Sequence, residues 1–464
     1  MSSIESESLE GPRAGLPPLT ARRPRHETGA RALDSSVRDR ALAALGIAVL
    51  LAAALIGVAV AADGSVGLVP SGREDFAGWL AGPLAPLGDL VPPMSDLGLI
   101  VLFGIMGAAY LVVLVFGGAV PLRLAIGAVA AAHLIFLLAP PILSTDVFGY
   151  LAFARLGVEH GLDPYANAVD AIPRDPINTY LSPVWPIHLS TPYGPPFVSF
   201  TYLLVPLGIP AGLWALKAAT AIAAFAAVAL VAACARRLGR PAAPAALFVG
   251  LNPLWLAWTV GGAHNDLLMV GPLALGVYLL AGARRAGLAG AALAGAVAVK
   301  ATAGLVLVFA LVGGREGLRT FAGAAAGGLA LTAATFAVFG TDLLRYPSNL
   351  AEQGNHLSRH NVPENVANLF GVALTPQLQT VVAAVFALAV VALLVRVGRG
   401  ADWITGAGWG MVAFLLTTTS LHTWYVAGLL PLAALSTSRA LRVSTLAVSL
   451  LLIVVQLMPA LSTG

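Results

Sequence analysis

Residues 139–164 read Ala139-Pro-Pro-Ile-Leu-Ser-Thr-Asp146-Val-Phe-Gly-Tyr150-Leu-Ala-Phe-Ala-Arg155-Leu-Gly-Val-Glu-His160-Gly-Leu-Asp-Pro164. A long apolar segment without an acidic residue stops here, and Asp146 is the first charged group beyond it. The aromatic-rich stretch that follows reads as an amphipathic helix lying at a membrane surface. A carboxylate at the exit of a span, followed by such a helix, predicts a chemical site held at the membrane boundary.

The composition agrees with a membrane setting. Of 464 residues, 58% are hydrophobic and only 10% charged, and mean hydropathy is +0.86. Soluble domains carry about 25% charged residues, so a water-soluble fold is excluded. The apolar segments are rich in Ala, Leu, Val and Gly and show little alternation, which favours helices over a barrel. The 50 glycines suit close helix packing. A net charge of +4 with scattered basic residues argues against nucleic acid. The single cysteine, Cys234, cannot form an internal disulfide. Residues 1–40 are polar and arginine-rich, too long and hydrophilic for a secretory signal, and read as a disordered cytoplasmic tail.

Thirteen apolar segments follow between residues 41 and 458, several shorter than the roughly 20 residues of a full span. If each crosses once, Arg236, Arg237 and Arg240 fall outside, against the positive-inside rule. The conflict is removed if 197–209 is a partial helix and 287–312 a pair of half-helices broken near Lys300. Arg123, Arg236, Arg285, Arg315, Arg396 and Arg439, with their basic neighbours, then all lie inside. Broken helices are tolerated where they line a cavity, so this arrangement predicts a cavity open to the outside. Three polar stretches, 63–96, 144–196 and 341–375, become outer loops of a single membrane domain spanning 41–464.

The polar residues on that side are the candidates for chemistry. Asp146 reads either as a general base or as a boundary residue capping its helix. Tyr150 and its aromatic neighbours offer rings to a sugar or lipid, and Arg155 can pair with a carboxylate or phosphate; a surface helix explains the same residues. His264, Asn265 and Asp266 lie together between two apolar segments, where adjacent polar groups need partners, although a plain polar turn would look alike. One His and one Asp do not make a metal site. Lys300, between two apolar runs, suits a phosphate oxygen or can snorkel. Lys217 is similar. Tyr193, in Thr191-Pro-Tyr-Gly-Pro-Pro196, is held by prolines. Trp424 and Tyr425 fit an aromatic belt, which leaves His422 unexplained. His356, Arg359 and His360 can meet a phosphate or form a solvated loop.

Five of these motifs, in this order, resemble one family. Ser144-Thr-Asp-Val-Phe-Gly-Tyr150, His160-Gly-Leu-Asp-Pro-Tyr165, Gly262-Ala-His-Asn-Asp266, Val299-Lys-Ala-Thr-Ala303 and His422-Thr-Trp-Tyr425 are similar to the actinobacterial polyprenol-phosphomannose-dependent α-1,6-mannosyltransferases, members of the GT-C glycosyltransferases. The resemblance covers about residues 100 to 440. It implies an all-α polytopic GT-C fold of about 11–13 transmembrane or partial helices, with outer loops carrying amphipathic helices. It also implies a cell-membrane enzyme with an extracytoplasmic active site, a polyprenyl-phosphate-mannose donor, and a mannan or lipomannan acceptor. Asp146 would then be the catalytic base. Lys300, His264 and Arg359 would meet the donor phosphate, and Tyr150, Arg155, Tyr193, Asn265, Asp266, His422, Trp424 and Tyr425 the substrates. Many GT-C members carry paired acids at the first position, whereas Val147 follows Asp146 here. Metal independence is therefore expected, with no cofactor, and a divalent cation is left open. A transferase of another linkage or donor, or a transporter or flippase for lipid-linked sugar, remains the alternative.

Overall fold

The computed structural model describes residues 25–64, 68–69, 78–182, 185–282, 285–355, 357–358 and 361–462. It is 78% helical, and its only strand-like pairing among these residues is an isolated bridge between Ala168 and Ser190. Backbone groups in lipid need internal partners, and runs of Ala, Leu and Val supply them as helices. Among the described residues, six helices are long and apolar enough to cross a membrane, or seven with one bent pair, and six shorter apolar helices accompany them. The chain is a multi-pass membrane protein.

Helix α1 runs Arg25–Ala62, α2 is the short Gly78–Ala81, α3 is Asp96–Phe116 and α4 is Leu122–Leu137. The polar tail expected over residues 1–40 lies outside the described residues as far as 24. From Arg25 the chain is helical, because Ala, Leu and Arg continue the helix of the first span outward. The helix α5, Asp146–Val158, opens the long connection after α4, and the short α6, Pro195–Tyr202, closes it. Gly208, at φ +76°, then turns the chain into α7, Gly208–Arg237. Where the sequence predicts a non-crossing partial helix over 197–209, the chain forms α6, which runs on with α7 as one candidate membrane span, Pro195–Arg237.

α8, Ala242–Gly250, is followed by a π-helical stretch, Trp255–Gly261, bent from it by 62°. The bend falls at Asn252-Pro253; Pro253 lacks a donor, and Asn252 Oδ1 accepts from the N–H groups of Leu254 and Trp255 at 3.0 and 3.2 Å. Next come α9, Asp266–Leu280, and α10, Ala286–Val299. α10 stops at Lys300, whose backbone is extended (φ −152°, ψ 121°), and α11, Gly304–Gly313, departs from the break. α12 is Gly317–Phe339, with α13, Tyr346–Asn355, and α14, Val362–Leu369, in the connection behind it. α15, Pro376–Gly398, α16, Trp403–Thr417, α17, Leu429–Leu435, and α18, Arg439–Ser462, complete the bundle.

Glycine contacts give the direction of the broken pair. Gly287 packs on Gly323, Gly290 on Thr320 and Ala324, and Gly327 on Ala291, so residue numbers rise together and α10 and α12 run parallel. α11, which joins them, therefore returns toward the level where α10 began. Two cavities mark the two levels. One touches Asn265, Val299, Thr302 and His422. The other, of about 490 Å³, touches Leu280, Ala286, Gly313 and Trp403, the opposite ends of the same helices. Arg285 and Arg315 line the second cavity, and Arg237 reaches across that level to the Tyr278 carbonyl at 3.1 Å.

Candidate active site

The first cavity, of about 360 Å³, is where four of the five sequence motifs converge; the stretch from His160 to Tyr165 does not line it. Ser144, Thr145 and Asp146 enter it from the start of α5, and Tyr193 from the proline-rich turn before α6. Asn265 lies at the head of α9, Lys300 at the α10–α11 break, and His422, Trp424 and Tyr425 in the turn after α16. Helix ends alone can present polar groups at this boundary, because the helix bodies are committed to lipid and to one another.

Asp146 is the carboxylate that faces the cavity, with its side chain 18% exposed. Its backbone N–H donates to Ser144 Oγ at 3.1 Å, which holds the first turn of α5. Burial pushes its carboxyl up to about 6, with Asp266 adding to the rise, while Lys300 and a hydrogen bond from Trp185 act against it. Behind it His264 is fully buried, with Nδ1 3.6 Å from Asp146 Oδ2 and 3.3 Å from the Tyr150 hydroxyl. Burial, then the charges of Lys300 and His422, hold His264 well below the usual imidazole range. It stacks on Trp424 at 3.7 Å between centroids, and His422 stacks on the same indole at 4.8 Å.

Opposite in charge is Lys300. Its Nζ lies 2.5 Å from Asp266 Oδ2 and 4.3 Å from the centre of the Tyr425 ring. Asp266 is 1% exposed and begins α9, where the helix N-terminus also favours a negative charge. A cation thus stays at a membrane boundary because a buried carboxylate and an aromatic face hold it.

Backbone detail around these groups is unusual. Leu143, at φ +63°, and Ala263, at φ +54°, are the described non-glycine residues in the left-handed region. They sit three residues before Asp146 and one before His264. Such conformations cost of order 1 kcal/mol each and persist where surrounding structure enforces them. Two glycines allow close approach. A Cβ on Gly149 would strike the Trp185 indole, and one on Gly194 the carbonyls of Ala298 and Val299. The second contact presses the Tyr193 turn against the α10 break.

Several expected contacts are placed differently. Arg155 does not reach the cavity. Its guanidinium pairs with Asp175 through Nε at 2.9 Å and Nη2 at 3.0 Å, since one helical direction along α5 separates it from Asp146. Tyr150 is 1% exposed and points into the protein. His264 and Asp266 are likewise buried behind the cavity wall; Asp266 is held by Lys300, whereas His264 Nε2 and the neighbouring Asn265 Nδ2 have no hydrogen-bond partner among the described residues. Arg359, with His356 and His360, lies outside the described residues. Trp185 and Gln353 line the cavity without having been singled out; Trp185 follows a proline-rich polar loop whose only signal was its aromatic ring, and Gln353 carried none. Among the described residues, no group of three or more His, Cys, Asp or Glu side chains gathers as a metal site.

Fold and site together define a helical, polytopic membrane protein with a cavity at one set of helix ends, offering one open carboxylate and one held ammonium. A family model described as the α-(1→6)-mannopyranosyltransferase N-terminal domain matches residues 44–313, and one for glycosyltransferase family 87 matches 191–462. Each covers more than half of the chain, which belongs to this family of membrane glycosyltransferases. α-(1→6)-Mannopyranosyltransferase A of Mycobacterium tuberculosis is 30% identical over 328 residues, 64% of this chain and 62% of that protein. Its namesake in Corynebacterium glutamicum is 33% identical over 177 residues, 37% of this chain and 35% of that one. The match thus spans less than two thirds of these relatives' lengths. No solved structure matches.

Proposed function

We propose that the protein is an inverting mannosyltransferase that moves mannose from polyprenyl-phosphate-mannose to a mannan or lipomannan acceptor, forming an α-1,6 linkage. The observation that carries this reading is the placement of Asp146, a cavity-facing carboxylate pushed up to about 6, in one 360 Å³ space with Lys300. A general base works best with a pKa near the working pH. In this reading Asp146 takes the proton of the acceptor hydroxyl as its oxygen bonds to the anomeric carbon. The bond from that carbon to the phosphate oxygen breaks with its electron pair, and polyprenyl phosphate leaves. Displacement from the opposite face turns a β-linked donor into an α-linked product. Lys300, fixed by Asp266 and Tyr425, meets the charge on the leaving phosphate, and His422 and Tyr193 line the space between. The relatives' printed names support the sugar and the linkage.

The arginine-lined cavity at the far helix ends supports a cytoplasmic assignment for that level, and hence an extracytoplasmic cavity for the transfer. Purified protein given polyprenyl-phosphomannose and a short mannose acceptor tests the reading: transfer is expected from the wild type and not from Asp146→Asn. Near-normal turnover by that variant removes Asp146 as base, and a wild type that moves the lipid across vesicles without transferring sugar makes it a transporter.

A further inference from the structure

A second lysine, deep in the protein, has no part in the chemistry above. Lys217 lies in α7, 1% exposed, about 14 Å from the start of the helix at 1.5 Å per residue. No carboxylate lies within ion-pair distance of it among the described residues, and its Nζ donates to two backbone carbonyls, Gly261 O at 3.0 Å and Phe136 O at 3.3 Å. A polar group so placed in a membrane span marks a functional position by default. Its two acceptors explain which.

Phe136 belongs to the last turn of α4, and the chain from there leads through Leu143 to Asp146. Gly261 ends the π-helical stretch, and the chain from there leads through Ala263 to His264 and Asp266. The Gly261 carbonyl also accepts from the Ile142 N–H at 3.3 Å, and a Cβ on Gly261 would strike the Ile142 side chain. Lys217 therefore ties together the exits of two helices at their carbonyl ends, where a donor is favoured. Each exit then passes through one left-handed non-glycine residue before presenting a site residue. Strained residues hold their geometry only when their flanks are fixed, and Lys217 is the side chain that fixes both flanks at once.

We propose that Lys217 is a positioning residue that sets the separation of the Asp146 turn from the His264–Asp266 turn, and with it the alignment of base and leaving-group cation. This rests on the mannosyltransferase reading for its kinetic consequence, though not for its structural one. A displacement near 1 Å at a reacting centre lowers turnover by about a hundredfold.

The test compares Lys217→Met, similar in length but without donors, and Lys217→Arg, which keeps them, in the full chain reconstituted in vesicles. For folded Lys217→Met, kcat is expected to fall by about ten- to a hundredfold while the donor KM stays within about threefold. Lys217→Arg is expected to recover part of the loss. Independently of activity, amide exchange is expected to quicken in Lys217→Met over 139–149 and 261–268 together, with the remainder of α4 and α7 unchanged. A folded Lys217→Met with wild-type kcat and unchanged exchange in those two segments overturns the proposal. So does uniformly quickened exchange, or failure of both variants to fold, either of which makes Lys217 a general fastener. If the wild type transfers no sugar, the mannosyltransferase reading falls, while the exchange result still decides the role of Lys217.

Discussion

Asp146 and Asp175 lie 29 residues apart in one connection, and their surroundings differ. Asp175 accepts from Arg155, from His160 Nε2 at 2.7 Å and from the Ile177 N–H at 2.9 Å. Burial works against its charge, but these hydrogen bonds outweigh it and hold its carboxyl below the usual range. Among the described residues Asp146 has no arginine against it, and the pull of Lys300 and the Trp185 hydrogen bond does not offset the cost of burial, so its carboxyl rises. The same side chain is thus a fastener held in its charged form in one place and a group able to exchange a proton in the other. At Asp175 the partners outweigh the cost of burial, and at Asp146 they do not.

The sharpest way to break this contrast is to remove each carboxylate in turn. Asp146→Asn is expected to lower kcat by about 10²–10⁴-fold without lowering the thermal midpoint, measured on purified protein by sugar transfer and by a melting curve. A loss of stability comparable to that of an Asp175 variant would make Asp146 a structural residue after all. Next in size, Lys300→Met is expected to slow transfer by about 10²–10³-fold. Because Lys300 counteracts the upward shift of Asp146, the same variant moves the acid limb of the pH–rate profile to higher pH; an unmoved limb would separate the two groups.

Asp175→Asn leaves Arg155 without its main partner and is expected to destabilise the connection by about 3 kcal/mol, read by denaturant melting. The smallest effect needs no mutation. Transfer by the wild type should fall as pH drops through about 6, by roughly tenfold at one unit below. The Asp175 tie responds at lower pH, since a lowered carboxyl keeps its full contribution above the ordinary range near 4 and loses it only as pH falls through its own depressed value. At pH 5, exchange over 155–180 should therefore match that at pH 7 while activity has already declined.

Much of this molecule is legible from residue order. Composition and segment length require membrane helices, and keeping Arg315 and Arg319 on the same side as the earlier arginines calls for a break in 287–312, which the extended backbone of Lys300 supplies. Asp146, Lys300, Tyr193 and His422 can be singled out because a polar residue at the end of an apolar run is locally conspicuous. Their partners cannot. Lys300 and Asp266 are 34 residues apart, and Tyr150 and His264 are 114 apart. Helices that are apolar on every side carry little signal of which face turns inward. Sequence by itself thus determined that polar groups gather at one set of helix ends. Tertiary structure decided that Arg155 fastens Asp175, that Asp266 holds Lys300, and that Asp146 is left open to the cavity. The rotation and crossing of packed helices set these distances, and local periodicity does not record them.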